Sequence, residues 1–154
     1  MTNLTHQNEL SLGADYEQVA QLFRPIFNKI AAGTLERETR RILPREQIQW
    51  LKEAGFGAVR VPVKFGGKGL SQQQLFQLLI ELATADSNVV QALRGHFAFV
   101  EDRLIAQRDH SQELWFKRFV QGDIVGNAWT EVGGVAIGDV ITRVKQNSSG
   151  KTEV

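Results

Sequence analysis

Cysteine is absent from this chain, which excludes disulfides, thiol nucleophiles and thiolate metal sites. A net excess of one charge sign is nearly absent too: 18 basic residues against 17 acidic ones leave a formal net charge of +1, giving no long-range pull toward nucleic acid or an anionic membrane. No run approaches the roughly 18 apolar residues that a membrane span needs, and the polar start MTNLTHQNEL lacks the apolar core of a secretory signal. The three histidines, His6, His96 and His110, have neither the mutual spacing nor the carboxylate partners of a metal site. Gly67-Lys68-Gly69 lacks the Ser or Thr that a phosphate loop places after its lysine, and the third glycine of a dinucleotide fingerprint is missing. No Gly-x-Ser-x-Gly turn occurs. The expectation is a soluble cytoplasmic protein with no metal and no nucleic-acid or membrane partner.

What is present is a single domain's worth of chain, 154 residues with 42% apolar content, enough for a real core. Residues 1–12 read as a disordered lead-in. From Asp15 the apolar residues Tyr16, Val19, Phe23, Ile26, Phe27 and Ile30 recur at three and four, an amphipathic helix that Pro25 should kink or split. Arg37, Arg40, Arg41 and Arg45 are interleaved with Glu36, Glu38 and Glu46, which predicts a solvated, internally paired helix face. Pro44 suits the first turn of a short helix carrying Ile48, Leu51 and Ala54, stopped by a left-handed Gly55.

The stretch from 59 to 82 carries the most information. A short apolar run meets Pro62, then a loop with Gly66, Gly67 and Gly69, then Ser71 and Gln74 spaced as a capping box. In the helix that follows, Leu75, Leu78, Leu79 and Leu82 make one stripe and Phe76, Ile80 and Ala83 a second. A helix apolar over so much of its circumference should be covered on several sides, hence central in a bundle. Asp86 or Ser87 caps the next helix, buried through Val89, Leu93, Phe97, Val100 and Leu104. Asp109 or Ser111 caps one with Leu114, Trp115, Phe116 and Phe119, ending before Gly122.

After Gly122 the period changes. Residues 123–130 contain a candidate strand, Gly133, Gly134 and Gly138 make a loop, and 139–146 alternate as a strand does. Asn147 to Gly150 signals a turn, with a return strand beginning at Lys151. The fold class is therefore mainly α over 13–121, followed over 122–154 by opening strands, and the expectation is the front part of a longer protein.

Two places invite chemistry. His96 borders the buried stripe of its helix beside Gly95, where it either exchanges a proton with a bound group or is a core histidine satisfied by a backbone carbonyl. At the strand end, Asn127 brings a donor and an acceptor, Trp129 apolar contact and Thr130 a hydroxyl and amide for a polar ring edge. The alternative is an ordinary strand end.

Three ordered segments resemble the acyl-CoA dehydrogenase family. They are Ala54-Gly55-Phe56-Gly57 running into Val61-Pro62-Val63-Lys64-Phe65-Gly66-Gly67, then Ala83-Thr84-Ala85-Asp86, then Ala128-Trp129-Thr130-Glu131. The resemblance implies an N-terminal helical domain followed by the first strands of a truncated β-barrel domain. It also implies a flavin cofactor (FAD or reduced FMN) and, at full length, a tetramer. Trp129 and Thr130 match the family's flavin-contacting positions. Asn127 stands where an aromatic residue is usual, and the serine of the family's Thr-Glu-Pro-Gly-Ala-Gly-Ser-Asp stretch has no counterpart. The Gly-Asn-Ala-Trp-Thr-Glu and Arg-Gly-His-Phe wording is similar to a monooxygenase branch of the same fold. That branch implies a small, possibly sulfur-containing substrate, reduced flavin from a separate reductase, and His96 as the helix-borne histidine near the ring. An acyl-CoA dehydrogenase and a non-catalytic helical docking module stay as alternatives. The segment alone is expected to be inactive.

Overall fold

The computed structural model describes residues 16–106, 110–127, 142–146, 148–150 and 152–153. α1 (Tyr16–Ala31) forms where the apolar spacing predicts it, with Val19, Ala20, Phe23, Phe27 and Ile30 buried along one face. Pro25 neither ends nor splits it; the helix runs unbroken past the proline, which lies on the exposed side. The missing amide, and the carbonyl of Gln21 one turn back that it would have met, thus belong to residues on the exposed side of the helix and not to its core face.

α2 (Thr34–Arg40) is a separate short helix, with no buried residue. Only the Arg40–Glu36 pair is internal to it, at 2.8 Å. Arg37 instead turns inward to Asp86, at 2.8 Å, and donates also to the carbonyl of Ile30 and to Thr34. The expected solvated face is thus only half of what this segment does. α3 (Arg45–Glu53) places Pro44 at its N-cap, one position earlier than the first turn, and buries Leu51 while Ala54 is exposed. Gly55 stops it with a φ of 76°, in the left-handed region as expected.

The chain next makes two single 3-10 turns, Phe56–Ala58 and Val63–Phe65. The glycine loop folds back on the first apolar run: the amides of Gly69 and Leu70 donate to the carbonyls of Val61 and Val59, each at 2.9 Å. A Cβ on Gly67 would fall inside the main chain of Val61, so only glycine permits this closure. Arg60 locks the loop to the bundle, pairing with both carboxylate oxygens of Glu101 and donating to the carbonyl of Leu70.

α4 (Gln72–Ala85) starts at the capping box the sequence predicts, with Ser71 and Gln74 each satisfying the other's amide. α5 (Ser87–Ile105) starts at Asp86, whose side chain accepts from the amide of Asn88. α4 packs between α1 and α5, but its second apolar stripe is not covered as the sequence suggested: Phe76 is 56% and Ile80 66% exposed. Tyr16, Glu17, Arg24 and Glu81 clip α1 to α4. The core is aromatic at its centre, where Phe56 meets Phe23, Phe27 and Phe97 edge-on at 5.0, 5.8 and 5.8 Å.

α6 (Glu113–Val120) has Gln112 at its N-cap without a side-chain cap, preceded by a 3-10 turn at His110–Gln112. Ser111 therefore does not cap it, and Asp109 lies outside the described residues. Phe116 and Phe119 of α6 join Ala58, Val61 and Val100 in a second core cluster. Residues 123–127 carry no strand. Among the described residues the only sheet is β1 (Lys145–Gln146) antiparallel to β2 (Thr152–Glu153), with Lys145 opposite Glu153. The architecture is thus mainly α, with one short strand pair and no barrel among the described residues. No described helix is long and apolar enough to cross a membrane.

Candidate functional site

His96 lies on the inward face of α5 at the junction of the two core clusters, its ring edge-on to Phe97 and Phe119 at 5.2 Å each. It is fully buried. Its Nε2 lies 2.8 Å from the carbonyl of Gly57, and the amide of Val125 donates to its Nδ1 at 3.2 Å. The two partners assign the tautomer: the proton sits on Nε2 and is donated to Gly57, leaving Nδ1 as the acceptor. Burial pushes the imidazole below its ordinary pKa, against a smaller upward pull from the Gly57 carbonyl. The side chain is a neutral bridge from the turn after α3 to the segment after α6.

Gly57 makes that bridge sterically possible. A Cβ there would lie 2.6 Å from Ile124 Cδ1 and 2.9 Å from His96 Nε2. The 124–127 segment is thereby pressed against the turn on one side and α5 on the other. Its end carries Asn127, whose carboxamide crosses Gly95: a Cβ at Gly95 would sit 3.0 Å from Asn127 Oδ1. Gly95 is the interior helical glycine the sequence singled out, and this close approach is its use.

Of the four residues named from sequence, the structure joins two through one short segment. His96 anchors Val125, and Asn127 follows two residues later as an exposed side chain. Trp129 and Thr130 lie outside the described residues. The histidine presents no free nitrogen, since both are engaged by main chain, so the core-histidine reading describes its contacts. Sequence reasoning missed the Gly57 carbonyl and the Val125 amide as its partners, because a main-chain group leaves no signature in composition or period. No group of three His, Asp or Glu side chains able to hold a metal gathers among the described residues. The arrangement offers one exposed carboxamide, a donor and an acceptor together, held over a side-chain-free stretch of helix.

The family model described as acyl-CoA dehydrogenase, N-terminal domain, matches residues 14–123, the stretch that carries the capped α4, the closed glycine loop and α5. The chain belongs to that family. A curated relative, the probable FMNH2-dependent monooxygenase SfnC of Pseudomonas putida, is 24% identical over 95 residues. The aligned stretch is 62% of this chain and 24% of the relative, so the chain spans only a fraction of that protein's length. No solved structure matches the chain at the same stringency.

Proposed function

We propose that this chain is the N-terminal helical part of a flavin-dependent oxidoreductase, a two-component monooxygenase acting on a small, possibly sulfur-containing substrate. The observation that carries the reading is Asn127: its exposed carboxamide, laid across Gly95 on a segment pinned by a buried histidine, at the edge of an acyl-CoA dehydrogenase N-terminal domain. A carboxamide held in this way suits the alternating donors and acceptors along the edge of a flavin ring. Trp129 and Thr130 would continue that contact as flavin-touching residues. His96 acts as a positioning residue, setting where 124–127 lie. Bound reduced flavin would supply the electrons for oxygen activation. The name of the Pseudomonas relative, which specifies FMNH2, supports reduced FMN over a resident FAD, and delivery of that flavin by a separate reductase belongs to the same proposal. Full-length assembly as a tetramer belongs to the same proposal.

The test uses the full-length protein supplied with enzymatically reduced FMN. Oxygen uptake coupled to substrate is expected, and Asn127→Leu should weaken flavin binding about tenfold, the equivalent of one charge-free but buried hydrogen-bonding group. Bleaching of oxidised flavin by an acyl-CoA would establish the dehydrogenase reading instead. Absence of any flavin binding would remove both and leave the helical docking module.

A further inference from the structure

Segment 124–127 is held to the helical core by little. It has no regular secondary structure, Gly126 and Asn127 are exposed, and only Ile124 and Val125 pack, half-buried, against the two core clusters. Among the described residues no hydrogen bond joins its main chain to other main chain; the Val125 amide donating to His96 Nδ1 at 3.2 Å is the tie. On its other side the same imidazole is fastened more firmly. The Gly57 carbonyl that takes the Nε2 proton belongs to a buried turn. That turn is closed by the Ala58 amide on the Gly55 carbonyl at 3.1 Å and anchored by Phe56 in the aromatic core.

A neutral imidazole with its proton on Nε2 can gain a second one only on Nδ1. The N–H groups of Nδ1 and Val125 would then face each other, and a buried cation would need a counter-charge. The elements packed around the ring offer none among the described residues; its neighbours are Phe97, Phe119, Gly57 and Val125. On α6, Glu113 stands at the opposite end from Phe119, Lys117 is exposed, and Arg118 pairs with Asp123 at 2.7 Å. In the turn, Arg60 pairs with Glu101 of α5. Elsewhere on α5, Arg94 and Asp102 are exposed and Arg103 donates to Gln112. We propose that His96 is an acid-released latch: a proton on Nδ1 breaks the Val125 contact and frees 124–127 from the helices while α5 stays folded. The segment lets go first because it has two half-buried side chains to expose, whereas moving the turn or α5 would open the core. Asn127 leaves Gly95 with it, so under the flavin reading the site loses its carboxamide in acid. The latch itself stands on the His96 geometry and is tested without flavin, so its failure leaves that reading standing.

Amide hydrogen exchange of the full chain between pH 8 and 5 measures it, each rate corrected for the intrinsic effect of pH on exchange. Protection of the Val125 amide is expected to fall roughly tenfold per pH unit once the pH drops below about 6.5, as opening tied to the uptake of one proton by an ordinary imidazole requires. Leu93 and Phe97 in α5 should keep their protection across the range. A double variant, His6→Gln with His110→Gln, should show the same fall at Val125, which assigns it to His96. His96→Gln should show low protection there at every pH, and the double variant carries the test even where His96→Gln does not fold. Protection at Val125 that stays flat with pH in the native chain, a fall shared by Leu93 and Phe97, or a fall abolished in the double variant would overturn the proposal. So would a native pH response in His96→Gln.

Discussion

His96 shows how one side chain can join three parts of the chain that sequence keeps apart. Its partners, Gly57 and Val125, stand 39 and 29 residues away. His96→Asn removes a ring that spans both, leaving a buried carbonyl and a part-buried amide without partners. The expected cost is ~2–4 kcal/mol, read from urea denaturation at pH 8. The pH dependence has a definite sign. The folded imidazole is held below its ordinary pKa by burial, so on acidification the unfolded chain takes up a proton first. Stability from His96 is whole above about pH 6.5 and is lost as pH falls below it. Between pH 8 and 5 the native protein should therefore lose more stability than His96→Asn does, since His6 and His110 are common to both. Parallel stability curves would show that the folded histidine charges as readily as the unfolded one. That His96 sits against a buried stripe was legible from its three-and-four spacing to Leu93 and Val100. That both its nitrogens are taken was not, because the acceptor and donor are main-chain groups brought in by turns.

Helix ends were the most legible elements, since a cap acts across two or three residues. The Ser71–Gln74 box and the Asp86 cap both stand where spacing puts them. They differ in what else they do. Ser71 is exposed and serves its helix alone, whereas Asp86 is 3% exposed and also accepts from Arg37, itself nearly buried, 49 residues earlier. Ser71→Ala should cost about 1 kcal/mol. Asp86→Ala should cost about 3–5 kcal/mol, because it strands a guanidinium in a low-dielectric site as well as uncapping α5. Chemical denaturation of the two variants side by side measures the difference, and similar losses would mean that the Arg37 pair contributes little. The sequence reading of α2 went half astray here. Interleaved charges at helical spacing are indistinguishable, residue by residue, from a solvated face until the fold supplies the carboxylate that Arg37 turns to meet. α6 shows the converse: a helix packed through Phe116 and Phe119 forms without a side-chain cap at Gln112, since burial outweighs a missing cap of about 1 kcal/mol.

Across the molecule, packing is concentrated in α1, α4, α5 and the turn at Phe56, while the described part of the C-terminal region is one two-residue strand pair whose first strand is exposed. Hydrogen exchange should follow that division. Amides in the middle of α5 around Leu93 and Phe97 are expected to exchange only on global unfolding, and those of Lys145 and Gln146 on local opening, orders of magnitude faster. Comparable protection in both regions would mean that the strand pair is stabilised by something beyond its own ladder. The helical class, the caps of α4 and α5, the left-handed Gly55 and the buried stripe of α1 could all be read before any coordinates, because each depends on residues within a turn or two of one another. Three things could not. Phe56 figured in the sequence only as one letter of a family-like segment, yet it centres the aromatic core, since ring-on-ring contacts join residues far apart in the chain. Pro25 was expected to kink or split its helix, yet a proline on the wet side leaves the helix unsplit. And the second stripe of α4 looked like an invitation to burial, yet periodicity reports only that a face is apolar. Whether a neighbour covers it depends on how α1 and α5 happen to dock, and they leave Phe76 and Ile80 exposed.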